Sequence, residues 1–478
     1  MNARYAIGSF AIVLVAAGAL VWGKKAVLSP ASPARPGPPA APLGLVGNAG
    51  CSARACHGGA APVKLAEGAT TQQDEYTTFL AYDKHSQAYH VLLSDRAKRM
   101  AENLAVTNPD GKPIKANEDT RCLACHTTPR LAVKDAPERA KALRVDGVGC
   151  EACHGPASGD KPWLAAHTAP DSWRKKSPEQ KAEYGFNDLG RLSVQGETCA
   201  GCHVGAPASK DGKVPARDVN HDLMAAGHPR LNFELSAFRA NMPPHWNVAK
   251  KAKPDAASYE AKVWAVGRVA SAKASLELLK HRAERAKDTG RWPEFAEYRC
   301  FACHADLNPD WRAKQKPAGR LVGSLPYDVW YSTLLPDVPG APKELADYGE
   351  LTALMARTNL MAQPSDRVDA VVARAGVLIK AHDGWLKQLD AEAPDADKIL
   401  KAVVARVKDV PHTWEEAEQF ALAVAALHHG KKPAGLDAFL QALAFPKDSE
   451  SPAGFKGPFS KEKDIEDTFK ALRDALSK

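Results

Sequence analysis

The chain has 478 residues, enough for two or three domains, and its composition of 25% charged and 45% hydrophobic residues is ordinary for a soluble globular protein. Its formal net charge is +8, but no basic patch interleaved with aromatic residues accompanies that charge, so nucleic acid is not an expected partner. The sequence also lacks a P-loop, a dinucleotide fingerprint and a nucleophile elbow, which excludes the enzyme classes that depend on them.

The N-terminal segment is apolar. Residues 5–23 carry almost no polar side chain, and a helix of about 20 such residues spans a bilayer core. Two interpretations are open, a cleaved secretory signal and an uncleaved anchor. The absence of a small-x-small cleavage site at the end of the run favours the anchor. We therefore expect a membrane anchor or signal over 1–25, followed by a stiff proline-rich linker over 26–46.

Five short motifs use all ten cysteines. Four read Cys-x-x-Cys-His, at 122–126, 150–154, 199–203 and 300–304, whereas the unit at 51–57 has four residues between its cysteines. Cys-x-x-Cys-His is the signature of covalent c-type haem attachment, in which two thioethers hold the porphyrin and the following imidazole binds iron. A zinc site or a redox-active dithiol is an alternative for a single motif, but neither needs the histidine each time. For the looser unit the alternative is a small disulfide loop.

The sequence thus predicts five covalently bound c-type haems. The predicted attachment cysteines are Cys51, Cys56, Cys122, Cys125, Cys150, Cys153, Cys199, Cys202, Cys300 and Cys303. The predicted proximal iron ligands are the histidines that end the units, His57, His126, His154, His203 and His304. Because covalent haem attachment requires export, we expect the haem region on the periplasmic side of the inner membrane.

Each iron needs a second axial ligand if it is to stay low-spin. His85 recurs with Tyr82, Tyr89 and Leu92 at helical spacing, so we expect it on the apolar stripe of a helix and favour it over His90. Further distal candidates follow the third and fourth units: His167, His221 and His228.

Two other histidines before residue 300 are less favoured as ligands. His245 is a weaker candidate, and His281 lies on a helix predicted over 256–287, where we expect it simply to be packed.

The C-terminal third contains no cysteine and has helical periodicity. The predicted helices cover 344–362, 366–389, 395–408, 414–429, 435–443 and 461–476. We expect a haem-binding domain over 47–315 and a separate all-α bundle over 316–478.

Several stretches resemble the multihaem cytochrome c554 family (the cytochrome c-552/c-554 domain). They are YDKHSQAYHVLL around His85, GVGCEACHGP with His167 following, AAGHPRLNFEL around His228, and WPEFAEYRCFACHADL at the fifth unit. The resemblance covers about 47–315. It implies a mainly α, loop-rich fold organised by stacked haems, with mostly bis-histidine ligation and, in some members, one five-coordinate haem. The resemblance implies His85, His167, His221 and His228 as the distal ligands. The chain departs from the family in its five units and its long cysteine-free C-terminal region.

Three functions are compatible with these features. The first is an electron carrier between a quinol-side donor and a periplasmic acceptor, since two histidines on each iron leave no place for a substrate. The second is an enzyme with one five-coordinate haem that acts on a small nitrogen or sulfur compound such as hydroxylamine or nitric oxide. The third is a subunit whose C-terminal bundle docks a partner enzyme, which is compatible with the first. The sequence favours electron transfer, because no unit is of the Cys-x-x-Cys-Lys type.

Overall fold

The computed structural model describes most of the chain after the linker. The described residues are 44–62, 71–107, 111–133, 136–246, 256–300, 325–356, 365–392, 394–407, 414–428, 433–444 and 462–476. The anchor or signal expected over 1–25 lies outside them, as does all but the end of the linker. Among the residues that are described, no helix has the length and apolarity needed to cross a membrane.

Short helices carry the first half of the described chain. They are α1 (Glu75–Tyr82), α2 (Asp95–Leu104), α3 (Thr120–His126), α4 (Glu138–Ala142), α5 (Cys150–His154), α6 (Trp163–His167), α7 (Pro170–Arg174), α8 (Pro178–Ala182), α9 (Leu192–His203), α10 (His221–Ala225) and α11 (Leu235–Ala240). Helices this short are marginal by themselves in water, so other contacts must hold them.

Longer helices follow. They are α12 (Ala256–Thr289), α13 (Asp347–Ala356), α14 (Ser365–Ala391), α15 (Ala396–Arg406), α16 (Trp414–Leu427), α17 (Leu436–Leu443) and α18 (Glu462–Leu476). Each helix predicted from periodicity after residue 344 has a counterpart among them. The described residues form isolated β-bridges but no strand, so the prediction of a mainly α fold is confirmed.

The largest apolar core joins α12 to the C-terminal helices. Trp264 of α12, Trp330 and Phe420 of α16 are fully or almost fully buried in it. Arg268, also on α12, is buried there too, and its guanidinium donates to the carbonyl oxygens of Trp330 (2.9 Å) and Thr333 (2.7 Å). Residues on both sides of position 315 therefore share one core. That the C-terminal segment is a separate bundle stays a prediction.

Two glycines allow close helix packing against α12. A Cβ at Gly267 would lie 2.5 Å from the Cβ of Leu235, and one at Gly196 of α9 would lie 3.0 Å from the Cβ of Ala270. Because those contacts are too short for a larger side chain, glycine at these positions sets the distance between α12 and its neighbours α9 and α11.

A buried carboxylate ties the start of the described chain to the third cysteine unit. Glu151, between Cys150 and Cys153, accepts hydrogen bonds from the backbone N–H groups of Gly47 and Ala157, both at 2.8 Å. The N–H of Cys150 donates to Oδ1 of Asn48 at 3.0 Å. These bonds bring the first and third cysteine units together, although about 100 residues separate them in sequence.

The helix predicted to carry His85 on an apolar stripe is interrupted. α1 ends at Tyr82, and His85 lies in a 3-10 helix, Lys84–Gln87. Asp83 causes the break because its backbone is extended and its side chain accepts from the N–H of His85. Tyr82 is 74% exposed, so it is not part of a buried stripe.

Candidate haem-binding site

Local helix geometry gathers each described Cys-x-x-Cys-His unit on one face. The units at 122–126, 150–154 and 199–203 form the last turns of α3, α5 and α9, and each helix ends at the histidine. Residues i, i+3 and i+4 of an α-helix share a face, so both thiols and the imidazole point to the same side. The unit at 51–57 is a turn instead, in which the N–H groups of Cys56 and His57 both donate to the carbonyl of Ala53.

None of the nine cysteines that the structure describes forms a disulfide. The disulfide alternative for Cys51 and Cys56 is therefore not what the described chain forms. Burial raises the pKa of Cys153 and of Cys199 to about 12, whereas the neighbouring thiol of Cys125 lowers the pKa of Cys202 to about 6.

Imidazoles are placed in pairs. Within the described residues, no group of three or more His, Cys, Asp or Glu side chains could hold a metal ion. Each of the four described attachment histidines, however, has one second histidine close to it. The ring-centroid distances are 6.3 Å for His57 and His167, 6.4 Å for His126 and His228, 6.5 Å for His154 and His245, and 5.9 Å for His203 and His85.

These distances match two rings on opposite sides of one metal ion. With a metal–nitrogen bond of about 2 Å and a ring centre about 1.1 Å behind the nitrogen, the two centroids lie about 6 Å apart. Zinc would need at least three protein ligands at such a place. Haem iron needs only two, because the porphyrin supplies the other four, so the pairs fit haem and do not fit a zinc site.

Burial keeps several of these rings neutral, which is the form that binds metal. It lowers the pKa of His203 to about 4, and it also lowers the pKa values of His126 and His228.

Hydrogen bonds at Nδ1 fix the orientation of five paired rings. Three of these histidines bond to backbone carbonyls, namely His126 to Ala88 (2.8 Å), His167 to Leu164 (2.6 Å) and His228 to Pro229 (2.8 Å). Two bond to carboxylates, His57 to Glu75 (2.9 Å) and His85 to Asp83 (2.8 Å). An acceptor at Nδ1 places the ring proton there and leaves the Nε2 lone pair for a metal.

The two carboxylates are ionised. Burial by itself would raise the pKa of Glu75, but hydrogen bonds from His57 and Thr71 lower it to about 2. The pKa of Asp83 is likewise lowered, since the hydrogen bonds from His85 outweigh its burial. In return, the carboxylates raise the pKa values of His57 and His85.

Cysteines of different units are neighbours. The thiol of Cys51 lies close to that of Cys150, and the thiol of Cys125 lies close to that of Cys202. Groups bound at these thiols would therefore lie side by side. The group at the first cysteine unit would adjoin that at the third, and the group at the second unit would adjoin that at the fourth.

The apolar clusters around these units are small. One contains Leu92, Leu123 and a few alanines, and another contains Ala157, Trp163 and Trp173. Both clusters contain far fewer buried residues than the core along α12. Side chains alone thus provide little apolar interior here, and a set of large flat apolar groups would complete it.

The fifth unit is described only at its first residue. The guanidinium of Arg230 donates to Sγ of Cys300 at 2.8 Å and to Oδ2 of Asp328 at 2.5 Å. Cys303 and His304 lie outside the described residues. The ring of His221 stacks edge-on against Phe295 at 5.6 Å, five residues before Cys300.

Of the predicted distal ligands, His85, His167 and His228 each face an attachment histidine. His245, which the sequence ranked low, faces His154. A count of candidates indicates that one ligand is missing, because the five predicted irons need five distal ligands and the sequence offered only four strong candidates. His90 is exposed and its ring faces Tyr89 rather than an attachment histidine.

A family model described as cytochrome c554 and c-prime matches residues 51–155. The match includes the first three cysteine units. It supports the cytochrome c554 family and, with it, a c-type cytochrome that binds haem c. No curated protein and no solved structure gives a significant match to the chain.

Proposed function

We propose that the chain is an electron-transfer protein with five covalently bound haems, each held by two histidines. The observation that supports this most strongly is that every described attachment histidine faces one other imidazole at 5.9 to 6.5 Å. A haem held in this way carries one electron, leaves no open position for a substrate, and has a reduction potential set by its ligands and surroundings.

The chain's own side chains have distinct roles in this function. The paired thiols anchor the cofactor, and the acceptors at Nδ1 orient the imidazoles. Burial keeps the rings of His126, His203 and His228 neutral and limits the access of water to them. For the fifth unit we propose His304 and His221 as the two iron ligands, since the ring of His221 contacts Phe295, five residues before Cys300.

The enzymatic alternative requires an attachment histidine with no ligand opposite. None of the four described attachment histidines is in that position, which favours electron transfer over chemistry on hydroxylamine, nitric oxide or a sulfur compound.

We further propose that residues 5–23 anchor the protein on the periplasmic side of the inner membrane, and that the proline-rich linker over 26–46 holds the haem region away from the lipid. The partners would be a quinol-side electron donor and a periplasmic acceptor. The helical segment over 316–478 offers a surface on which one of them could dock.

The direct test is to purify the exported full chain and to measure its intact mass under denaturing conditions. We expect a mass increment equal to five haems and no titratable thiol. Colourless protein, or protein with free thiols at the ten cysteines, would refute the proposal.

A further inference from the structure

Nδ1 acceptors are described for five of the paired imidazoles, and two of these acceptors are charged whereas three are neutral. Nδ1 of His85 lies 2.8 Å from Asp83 and Nδ1 of His57 lies 2.9 Å from Glu75. The rings of His126 and His228 bond to neutral carbonyl oxygens instead. The chain therefore contains a carboxylate-bonded set and a carbonyl-bonded set.

Burial and a second hydrogen bond hold the side chain of Asp83 in position. Its side chain is only 4% exposed, and its Oδ1 also accepts the backbone N–H of His85 at 3.0 Å. This second bond fixes the carboxylate at the start of the 3-10 helix that carries the ligand. Glu75 is held similarly, because its other oxygen accepts from the hydroxyl of Thr71 at 2.6 Å and its side chain is 14% exposed.

A carboxylate acceptor makes an imidazole a stronger electron donor than a carbonyl acceptor does. A stronger axial donor stabilises ferric over ferrous iron and so lowers the reduction potential. Desolvation strengthens the effect, since a buried charge is poorly screened.

We propose that Asp83 and Glu75 are positioning residues that lower the reduction potentials of two haems, those attached at Cys199 and Cys202 and at Cys51 and Cys56. The haem attached at Cys122 and Cys125, whose iron ligands both bond to carbonyls, then has the higher potential. This inference rests on the proposed function. Since Cys125 neighbours Cys202, a low-potential and a high-potential haem would be adjacent.

The test compares the full-length holoprotein with Asp83→Asn, which keeps the helix-capping ability and removes the charge. Spectroelectrochemical titration should show that one haem becomes easier to reduce. We expect the ferrous-to-ferric ratio of that haem to rise about tenfold at a fixed potential, or about 59 mV for a one-electron couple. Ferric EPR should show altered g values for one low-spin species, because its axial ligand field changes.

Asp119→Asn is the matched control. Asp119 is a buried carboxylate that caps α3 and pairs with Arg121, and among the described residues no hydrogen bond or ion pair joins it to an imidazole. Its substitution should leave every g value unchanged. Glu75→Gln is the second variant, and it should alter a different low-spin species from the one that Asp83→Asn alters.

Three results would overturn the inference: an unchanged potential in both carboxylate variants, a shifted potential with unchanged g values, or the same changes in Asp119→Asn. The haem content of each sample, read from its intact mass, separates this failure from a failure of the proposed function. If haem is absent from the wild-type chain, the proposed function is wrong. If haem is present and the two carboxylate variants have the same potentials and g values as the wild type, only the inference is wrong.

Discussion

Replacing His245 with alanine is the sharpest test of the imidazole pairs, because the structure points to a ligand that the sequence ranked low. Its ring lies 6.5 Å from that of His154, and none of the other three described pairs includes either residue. The substitution should therefore free one axial position, so the expected change is one iron per chain passing from low to high spin. All haems should remain covalently bound, because no cysteine is altered.

The assay is ferric EPR with spin quantitation, with the absorbance spectrum as a second measure. Added imidazole should enter the space left by the missing ring and restore the low-spin signal. His90→Ala is the control, since His90 is exposed and faces Tyr89, and its spectrum should match that of the wild type. If His245→Ala retains every haem and stays fully low-spin, the pairing of His154 with His245 is wrong.

Three further predictions concern stability, and denaturant titration checks each of them. Arg268→Met leaves several buried carbonyls without a donor and should lower the free energy of unfolding by about 3 kcal/mol or more. Glu151→Ala removes the acceptor for the buried N–H groups of Gly47 and Ala157 and should cost about 2 kcal/mol or more; an unchanged midpoint in either variant would contradict the contacts described. Burial raises the pKa of Glu418 from 4.5 to about 8, so the folded chain binds a proton there that the unfolded chain releases. The free energy of unfolding should therefore fall as the pH rises from about 4.5 to about 8. Glu418→Gln should flatten this part of the pH profile. A profile as steep in the variant as in the wild type would contradict the prediction.

Much of the fold follows from local sequence patterns. The helix predicted over 366–389 is observed as Ser365–Ala391, and that predicted over 256–287 as Ala256–Thr289. Long periodic segments with clear breakers determine their own helices, because the apolar pattern and the helix ends agree. α12 is nevertheless buried around most of its circumference rather than on one stripe. Helices distant in sequence cover its other faces, and no local pattern contains that information.

The sequence predicts the chemistry of the candidate site, but it does not predict which distal histidine lies close to which attachment histidine. The spacing of Cys-x-x-Cys-His predicts the attachment histidines, since the motif itself includes them. The distal partners come from distant segments, as for His203 and His85, so only the fold brings them together. The helix around His85 was mispredicted because Asp83 offers the backbone a competing hydrogen bond, which outweighs the helical spacing of its neighbours.

The central claim is that pairs of histidines hold every haem iron of this chain. Quantitative ferric EPR of the exported full-length protein, recorded with and without nitric oxide, tests it most directly. The account predicts low-spin signals for all the haems and no change when nitric oxide is added. A high-spin signal amounting to one iron per chain, with prompt binding of nitric oxide, would contradict it.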